Sequence, residues 1–163
     1  MVQKFLGIRK ELMSNVLVIV GPTCVGKSAL AIALSRRCSG EIISADSRQV
    51  YRFLDIGTAK PSVAERNLSK HHLVDIVDPD IEYSLATFLR DAREAIKNVE
   101  QINHLPIVVG GSGQYVRALI EGWQVPRVPP DIKFRRALEE RARQNPGLLY
   151  SELVDVNPEA AGR

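Results

Sequence analysis

The residues Gly21-Pro22-Thr23-Cys24-Val25-Gly26-Lys27-Ser28 follow the spacing G-x-x-x-x-G-K-S, which is suited to holding an oxyanion. Backbone N–H groups must turn inward around the anion, and glycines tolerate the dihedrals that this needs. Lys27 would add a point charge on phosphate oxygens, and the Ser28 hydroxyl is a hard donor able to ligate Mg²⁺. All eight residues, Gly21 through Ser28, are therefore candidate phosphate-binding residues. Read alone, the pattern also fits a glycine-rich turn without a ligand. Its flanks favour phosphate: Val16-Leu17-Val18-Ile19-Val20 reads as a buried strand, and Ala29-Leu30-Ala31-Ile32-Ala33-Leu34 as a helix whose positive end faces the loop.

A second chemical group lies at the end of Glu41-Ile42-Ile43-Ser44-Ala45-Asp46. In an open parallel sheet the carboxyl ends of the strands gather on one side, so Asp46 is expected to face the same crevice as the 21–28 loop. Its carboxylate is a candidate catalytic base. A third is Gly110-Gly111-Ser112-Gly113, which follows the apolar run Leu105-Pro106-Ile107-Val108-Val109 and precedes a helical stretch from Gln114 to Leu119. Glycines there either relieve crowding or let the backbone approach a ligand. His71-His72 invites a metal reading. Adjacent side chains on a strand face opposite ways, however, so only one of the two can enter a given site.

The elements that would position these groups are legible from apolar patterning. Strands are expected over 16–20, 41–46, 71–77 and 105–109, the last apolar enough to be buried on both faces. From Ser84, a candidate N-cap, Leu85, Phe88, Leu89, Ala92, Ile96 and Val99 recur at helical spacing and read as a core-facing helix. Residues 52–70, with Asp55-Ile56-Gly57-Thr58-Ala59-Lys60-Pro61, read as a long functional connection with a short helix from about Val63. Asp78-Pro79-Asp80 reads as a turn. The expected class is α/β, a P-loop NTPase-like parallel sheet flanked by helices. Its expected division is an N-terminal extension over 1–15, the core over 16–122, and a basic helical segment over 123–163 behind Pro126, Pro129 and Pro130.

The 163 residues suffice for one such domain, and 45% hydrophobic with 25% charged residues excludes extended disorder. No run approaches the ~20 apolar residues of a membrane span, and no signal peptide is legible in residues 1–14. Two cysteines without a C-x-x-C spacing point to a reduced cytoplasmic setting without structural zinc. The net charge of +3 permits an anionic partner without establishing one. Over 127–143, Arg127, Lys133, Arg135, Arg136, Arg141 and Arg143 stand against Asp131, Glu139 and Glu140, which suits either nucleic-acid phosphates or an ordinary solvated helix.

Four stretches in order, Gly21-Pro22-Thr23-x-x-Gly26-Lys27-Ser28, Ile43 through Tyr51, Asp55 through Pro61, and Val109-Gly110-Gly111-Ser112-Gly113-Gln114-Tyr115, resemble the tRNA dimethylallyltransferases, also called tRNA isopentenyltransferases. The resemblance runs from about Val16 to Arg163. It implies transfer of the dimethylallyl group of dimethylallyl diphosphate to N6 of the adenosine beside the anticodon of tRNA, with Mg²⁺ as cofactor. Thr23, Gly26, Lys27 and Ser28 would hold the diphosphate leaving group, Ser28 next to the metal. Asp46 would accept a proton from the adenine amine, with Thr23 and Ser112 also at the catalytic centre. Asp46, Ser47, Arg48, Gln49, Ser112 and Arg135 would contact tRNA. Ser112 replaces a threonine and keeps its hydroxyl; Cys24 stands where small residues are common, and Phe53 where glycine is. The resemblance also implies a chain about twice as long, so that this one is expected to be an N-terminal portion with an incomplete tRNA-binding domain. A monomer without membrane association is expected. A small-molecule kinase using ATP on the same fold, an enzyme prenylating free adenosine phosphates, and a nucleotide-dependent binding module remain the alternatives.

Overall fold

The apolar runs pair as strands β1 (Leu17–Val20), β2 (Gly40–Ser44), β3 (His71–His72) and β4 (Leu105–Gly110). All pairings are parallel, in the order β1-β4-β2-β3. The computed structural model describes residues 15–125 and 131–162; the expected N-terminal extension up to Ser14, together with Pro126, Arg127, Pro129 and Pro130, lies outside the described residues. The molecule divides into two units, Met1–Pro126 and Arg127–Arg163.

In the first unit, alternation along the strands sorts side chains into two cores. Ile43 and Val108 face one way, onto Phe88, Leu89, Ala92 and Ile96 of α3 (Leu85–Gln101) and Val116 and Leu119 of α4 (Gly113–Ile120). Ile19, Ile42, Ile107 and Val109 face the other way, onto Ala31 and Ile32 of α1 (Lys27–Arg37). Helices therefore cover both faces, which is why β4 is apolar almost throughout. Phe88 and Tyr115 stack with ring centroids 4.2 Å apart, joining α3 to α4. Ser84 caps α3 through Thr87 N. The short α2 (Val63–Leu68) begins in a full capping box, Ser62 accepting from Glu65 N while Glu65 accepts from Ser62 N.

One expectation needs correction. The third strand does not run from 71 to 77: it ends at His72, because Leu73 and Asp75 adopt left-handed backbone (φ 61° and 55°). Asp75 N instead donates to Gln49 O at 3.1 Å, and Tyr51 and Val77 form an isolated parallel bridge outside the sheet. Residues just after 122 also contact the core elements. Trp123 N donates to Ala118 O at 2.9 Å, Arg93 donates to Trp123 O at 2.8 Å, and Val125 packs on the α3/α4 core.

The second unit contains α5 (Ile132–Gln144), α6 (Leu148–Val156) and α7 (Pro158–Ala161). Asp131 caps α5 through Phe134 N, Asn157 caps α7 through Ala160 N, and Arg141 pairs with Glu152 between α5 and α6. None of the residues of these helices is buried. Arg135 is exposed on α5.

Two backbone positions bear directly on the site. A Cβ on Gly110 would lie 2.1 Å from Ala45 O, because Ala45 N donates to Val109 O at 2.7 Å and draws the ends of β2 and β4 together. Gly110→Ala is therefore expected to lower stability by at least the ~1–3 kcal/mol usual for overpacking, read as a shift in urea midpoint. The control is Gly113→Ala, where an added Cβ meets nothing within 4 Å. Phe53 is the second position: φ is 64° and the residue is 79% exposed. Left-handed backbone costs a residue with a Cβ about 1–2 kcal/mol.

Candidate active site

At the carboxyl ends of β1, β2 and β4 lies a crevice of about 210 Å³, lined by Thr23, Lys27, Ser28, Asp46 and Gln49 among others. The parallel register brings them together: Val20 lies beside Gly110 and Ser44 beside Val109, so the segments leaving the three strands emerge side by side. The 21–28 loop turns through left-handed backbone at Cys24 (φ 63°) and Gly26 (φ 84°). A Cβ on Gly26 would meet open space, so the dihedral and not crowding calls for glycine there. Gly26 is also the N-cap of α1, with Leu30 N donating to its carbonyl at 3.0 Å. The turned loop, a helix N-terminus and the Lys27 side chain thus meet at one place, an arrangement able to hold a phosphate or diphosphate. Lys27 Nζ arches over the loop to donate to Pro22 O at 2.6 Å.

Asp46 closes the other side. Its Oδ1 accepts from Arg48 N at 2.9 Å and from Gln49 N at 3.3 Å, which fixes the carboxylate on its own turn. No hydrogen bond is made to Oδ2 among the described residues, so that oxygen is free to meet a substrate donor. Gln49 is committed to building the wall: Nε2 donates to Thr58 O at 3.2 Å and to Ala59 O at 2.9 Å, while Oε1 accepts from Ser44 at 3.0 Å. Only one lone pair of its oxygen remains for a ligand. Ser112 lies behind the glycine turn, its hydroxyl accepting from Ser47 N at 3.1 Å and tying the β4 turn to the β2 turn. Ser47 and Arg48 are exposed on that turn, outside the crevice lining. Arg135 belongs to the second unit.

Sequence reasoning missed the post that holds the crevice wall. The Lys60 side chain is 3% exposed and donates to Tyr51 O at 2.9 Å, Asp55 at 2.7 Å and Asp75 at 2.6 Å; Asp75 also takes Arg66 at 2.6 Å. Burial pulls the Lys60 ammonium towards neutrality, but the two carboxylates outweigh it and hold its pKa above the ordinary lysine value. The run D-I-G-T-A-K-P showed that the segment mattered. It could not show the partner, since Asp75 arrives from beyond β3.

His71 was also missed as a wall residue. It lines the crevice, and its Nδ1 lies 2.7 Å from Ser69 O, which can only accept, so Nδ1 carries the proton. Burial holds its pKa below the usual histidine value, leaving Nε2 an acceptor. His72 faces away, onto Glu41 at 2.6 Å. Burial pushes the Glu41 carboxyl up, but hydrogen bonds from His72, Lys70 and His104 outweigh it and hold the group below the ordinary range. Among the described residues, no group of three or more His, Cys, Asp or Glu side chains is placed to hold a metal ion. Any Mg²⁺ would thus depend on the Ser28 hydroxyl together with oxygens that a ligand brings.

The chain is 51% identical over 152 residues to a tRNA dimethylallyltransferase of Chloroflexus aggregans, covering 93% of this chain and 51% of the relative. Among solved structures it is similar to a tRNA isopentenylpyrophosphate transferase of Bacillus halodurans, with 40% identity, a TM-score of 0.65, and 89% of this chain and 48% of that one covered. It is also similar to a eukaryotic dimethylallyltransferase described as acting on tRNA, with 34% identity, a TM-score of 0.76, and 88% and 36% covered. The chain spans about half the length of the curated relatives it matches. The model of the family described as IPP transferase matches residues 49–163, from the Asp46–Gln49 turn through the 54–61 loop and the β4 glycine turn to the second unit, and the chain belongs to that family.

Proposed function

We propose that the chain carries the diphosphate site and catalytic base of a tRNA dimethylallyltransferase. The observation that carries this reading is the meeting of Lys27, Ser28 and Asp46 around one small crevice whose remaining wall is mixed, apolar at Ala29 and Ala59 over the buried Ala31, Ile42, Pro61 and Val109, and polar at Thr23, Ser44, Gln49, Thr58 and His71. The 21–28 loop would hold the diphosphate of dimethylallyl diphosphate, and the apolar part of the wall would take the five-carbon chain. Oδ2 of Asp46 would receive the proton of the adenine N6 amine. The amine lone pair forms the new bond to the first carbon of the prenyl group; the bond from that carbon to diphosphate oxygen breaks, and diphosphate leaves onto Lys27 and the loop amides. Ser28 together with the diphosphate oxygens would hold Mg²⁺, which supplies neutralisation of the charge on the leaving group.

The relatives' action on tRNA supports RNA as the acceptor, and the cations of the second unit suit its phosphates. Ser47, Arg48, Ser112 and Arg135 would then contact tRNA, with Gln49 supplying its remaining oxygen lone pair. A monomer in a reducing cytoplasmic setting is part of the reading, the setting supported by Cys24 and Cys38, which are free and exposed; among the described residues no helix is long and apolar enough to cross a membrane.

What favours dimethylallyl diphosphate over ATP is the likeness to dimethylallyltransferases, since a phosphate loop of this kind holds either ligand. Calorimetric titration in Mg²⁺ buffer separates the two. Dimethylallyl diphosphate is expected to bind and to be displaced by inorganic diphosphate, with ATP clearly weaker. Binding of ATP without binding of dimethylallyl diphosphate would overturn the proposal in favour of a kinase.

A further inference from the structure

We infer that Phe53 is a stacking platform for an unpaired base of the RNA acceptor at the mouth of the crevice, an inference that rests on the RNA-modifying reading above. The sign is a mismatch between conformational cost and folding benefit. Among the described residues Cys24, Ser39, Ala59 and Asn103 are also left-handed and exposed, but each is small or polar; Leu73, left-handed and large, is buried at 8% exposure in the main core, where packing offsets the strain. Phe53 has φ 64° and is 79% exposed, so its ring returns almost nothing to the fold. An exposed aromatic held in a costly conformation points to a task outside folding.

The ring is also presented on a fixed mount. On one side, the Tyr51 carbonyl is held by Lys60 Nζ at 2.9 Å, and Arg52 donates to Asp75 O at 3.1 Å and to Asp78 at 3.0 Å. On the other, the Leu54 carbonyl accepts from the Thr58 hydroxyl at 2.7 Å, and Thr58 lines the crevice. Phe53 therefore stands one residue from a hydrogen bond to the crevice wall, on a short loop clamped at both ends. A backbone held at both ends loses little freedom when a flat partner settles on the side chain it carries.

The chemistry of the surroundings selects a nucleobase. Arg48, exposed on the Asp46 turn with no partner for its guanidinium among the described residues, supplies a cation for a phosphate backbone, while Arg52, the residue before Phe53, is paired with Asp78. An aromatic with a neighbouring arginine is the usual means of gripping single-stranded nucleic acid without reading its sequence. The apolar neighbours, Leu54 at 41% and Ile56 at 98% exposure, are interrupted by the charged Asp55, which makes a poor centre for a protein interface.

The test uses the whole chain with Phe53→Ala, Phe53→Gly and Phe53→Trp, and two probes: a hairpin RNA whose loop carries unpaired adenosines, and a blunt RNA duplex. Affinity is read by fluorescence anisotropy across a salt series, beside the thermal midpoint and the sedimentation coefficient. The alanine and glycine variants are expected to bind the hairpin roughly 5- to 100-fold more weakly, the loss of one base–aromatic stack. The salt slope should not change, because no phosphate contact is removed. Duplex binding should be unaffected, and Phe53→Trp should retain hairpin affinity. Phe53→Gly should raise the thermal midpoint while it lowers affinity, opposite signs that general damage to the fold would not produce. Unchanged hairpin affinity in the alanine and glycine variants would overturn the inference, as would equal weakening in Phe53→Trp or a change in association state without a change in RNA binding. Failure of the unaltered chain to bind the hairpin at all would instead overturn the RNA reading on which the inference rests.

Discussion

Lys27→Ala is expected to weaken dimethylallyl diphosphate binding by about 10- to 100-fold, the equivalent of the ~1.5–3 kcal/mol that a hydrogen bond to a charged group contributes. The fold should survive. Lys27 makes one side-chain hydrogen bond among the described residues, to the exposed Pro22 carbonyl at 2.6 Å, and that carbonyl can turn to water once the ammonium is gone. A diphosphate held by the loop has no such substitute, because the remaining amides carry only partial charges. Calorimetry with dimethylallyl diphosphate and with inorganic diphosphate reads the loss. A similar loss for both would place the effect on the diphosphate, and a loss for the prenyl ligand alone would place Lys27 elsewhere. An unchanged affinity in a folded variant would remove phosphate binding from the 21–28 loop.

What the sequence could reveal was whatever follows from local pattern. β4 was legible because Leu105 through Val109 must be apolar on both sides, and α3 because Phe88, Leu89, Ala92 and Ile96 share one helical face beneath it. The grouping of Lys27, Ser28 and Asp46 was legible for a topological reason: any parallel sheet puts the ends of its strands on one edge. The missed features depend on distant partners. Nothing in His71-His72-Leu73-Val74-Asp75 shows that the strand stops after two residues. It stops because Asp75 turns to meet Lys60 and Arg66, from two segments earlier in the chain. Gln49 read as a ligand-binding side chain, but in the fold its amide nitrogen is taken up by the carbonyls of Thr58 and Ala59. The Gly110–Ala45 contact is likewise a property of two strands drawn together, invisible in either alone.

Asp46→Asn is expected to leave both substrates bound and to slow transfer by about 10²–10⁴-fold, the usual contribution of general acid–base assistance. The structure makes this a clean substitution. Oδ1 of Asp46 is occupied by the amides of Arg48 and Gln49, at 2.9 and 3.3 Å, and an asparagine carbonyl can accept both, though without the charge assistance. The turn, the Gln49 wall behind it and the Ser47–Ser112 tie should all persist. What changes is the other position of the carboxylate, where an NH₂ group replaces an oxygen. That group cannot take a proton, and it meets the adenine amine donor to donor. Because the amine lone pair is delocalised into the ring, the nitrogen becomes an effective nucleophile only as its proton leaves, so the loss should fall on the bond-forming step. Single-turnover transfer of labelled dimethylallyl, in a polypeptide of the curated relatives' length carrying this segment, measures that step apart from binding. Equilibrium titration of each substrate runs beside it. Transfer at the unaltered rate would reduce Asp46 to a turn-capping residue and leave the neutral Nε2 of His71, on the same crevice wall, as the next acceptor to test.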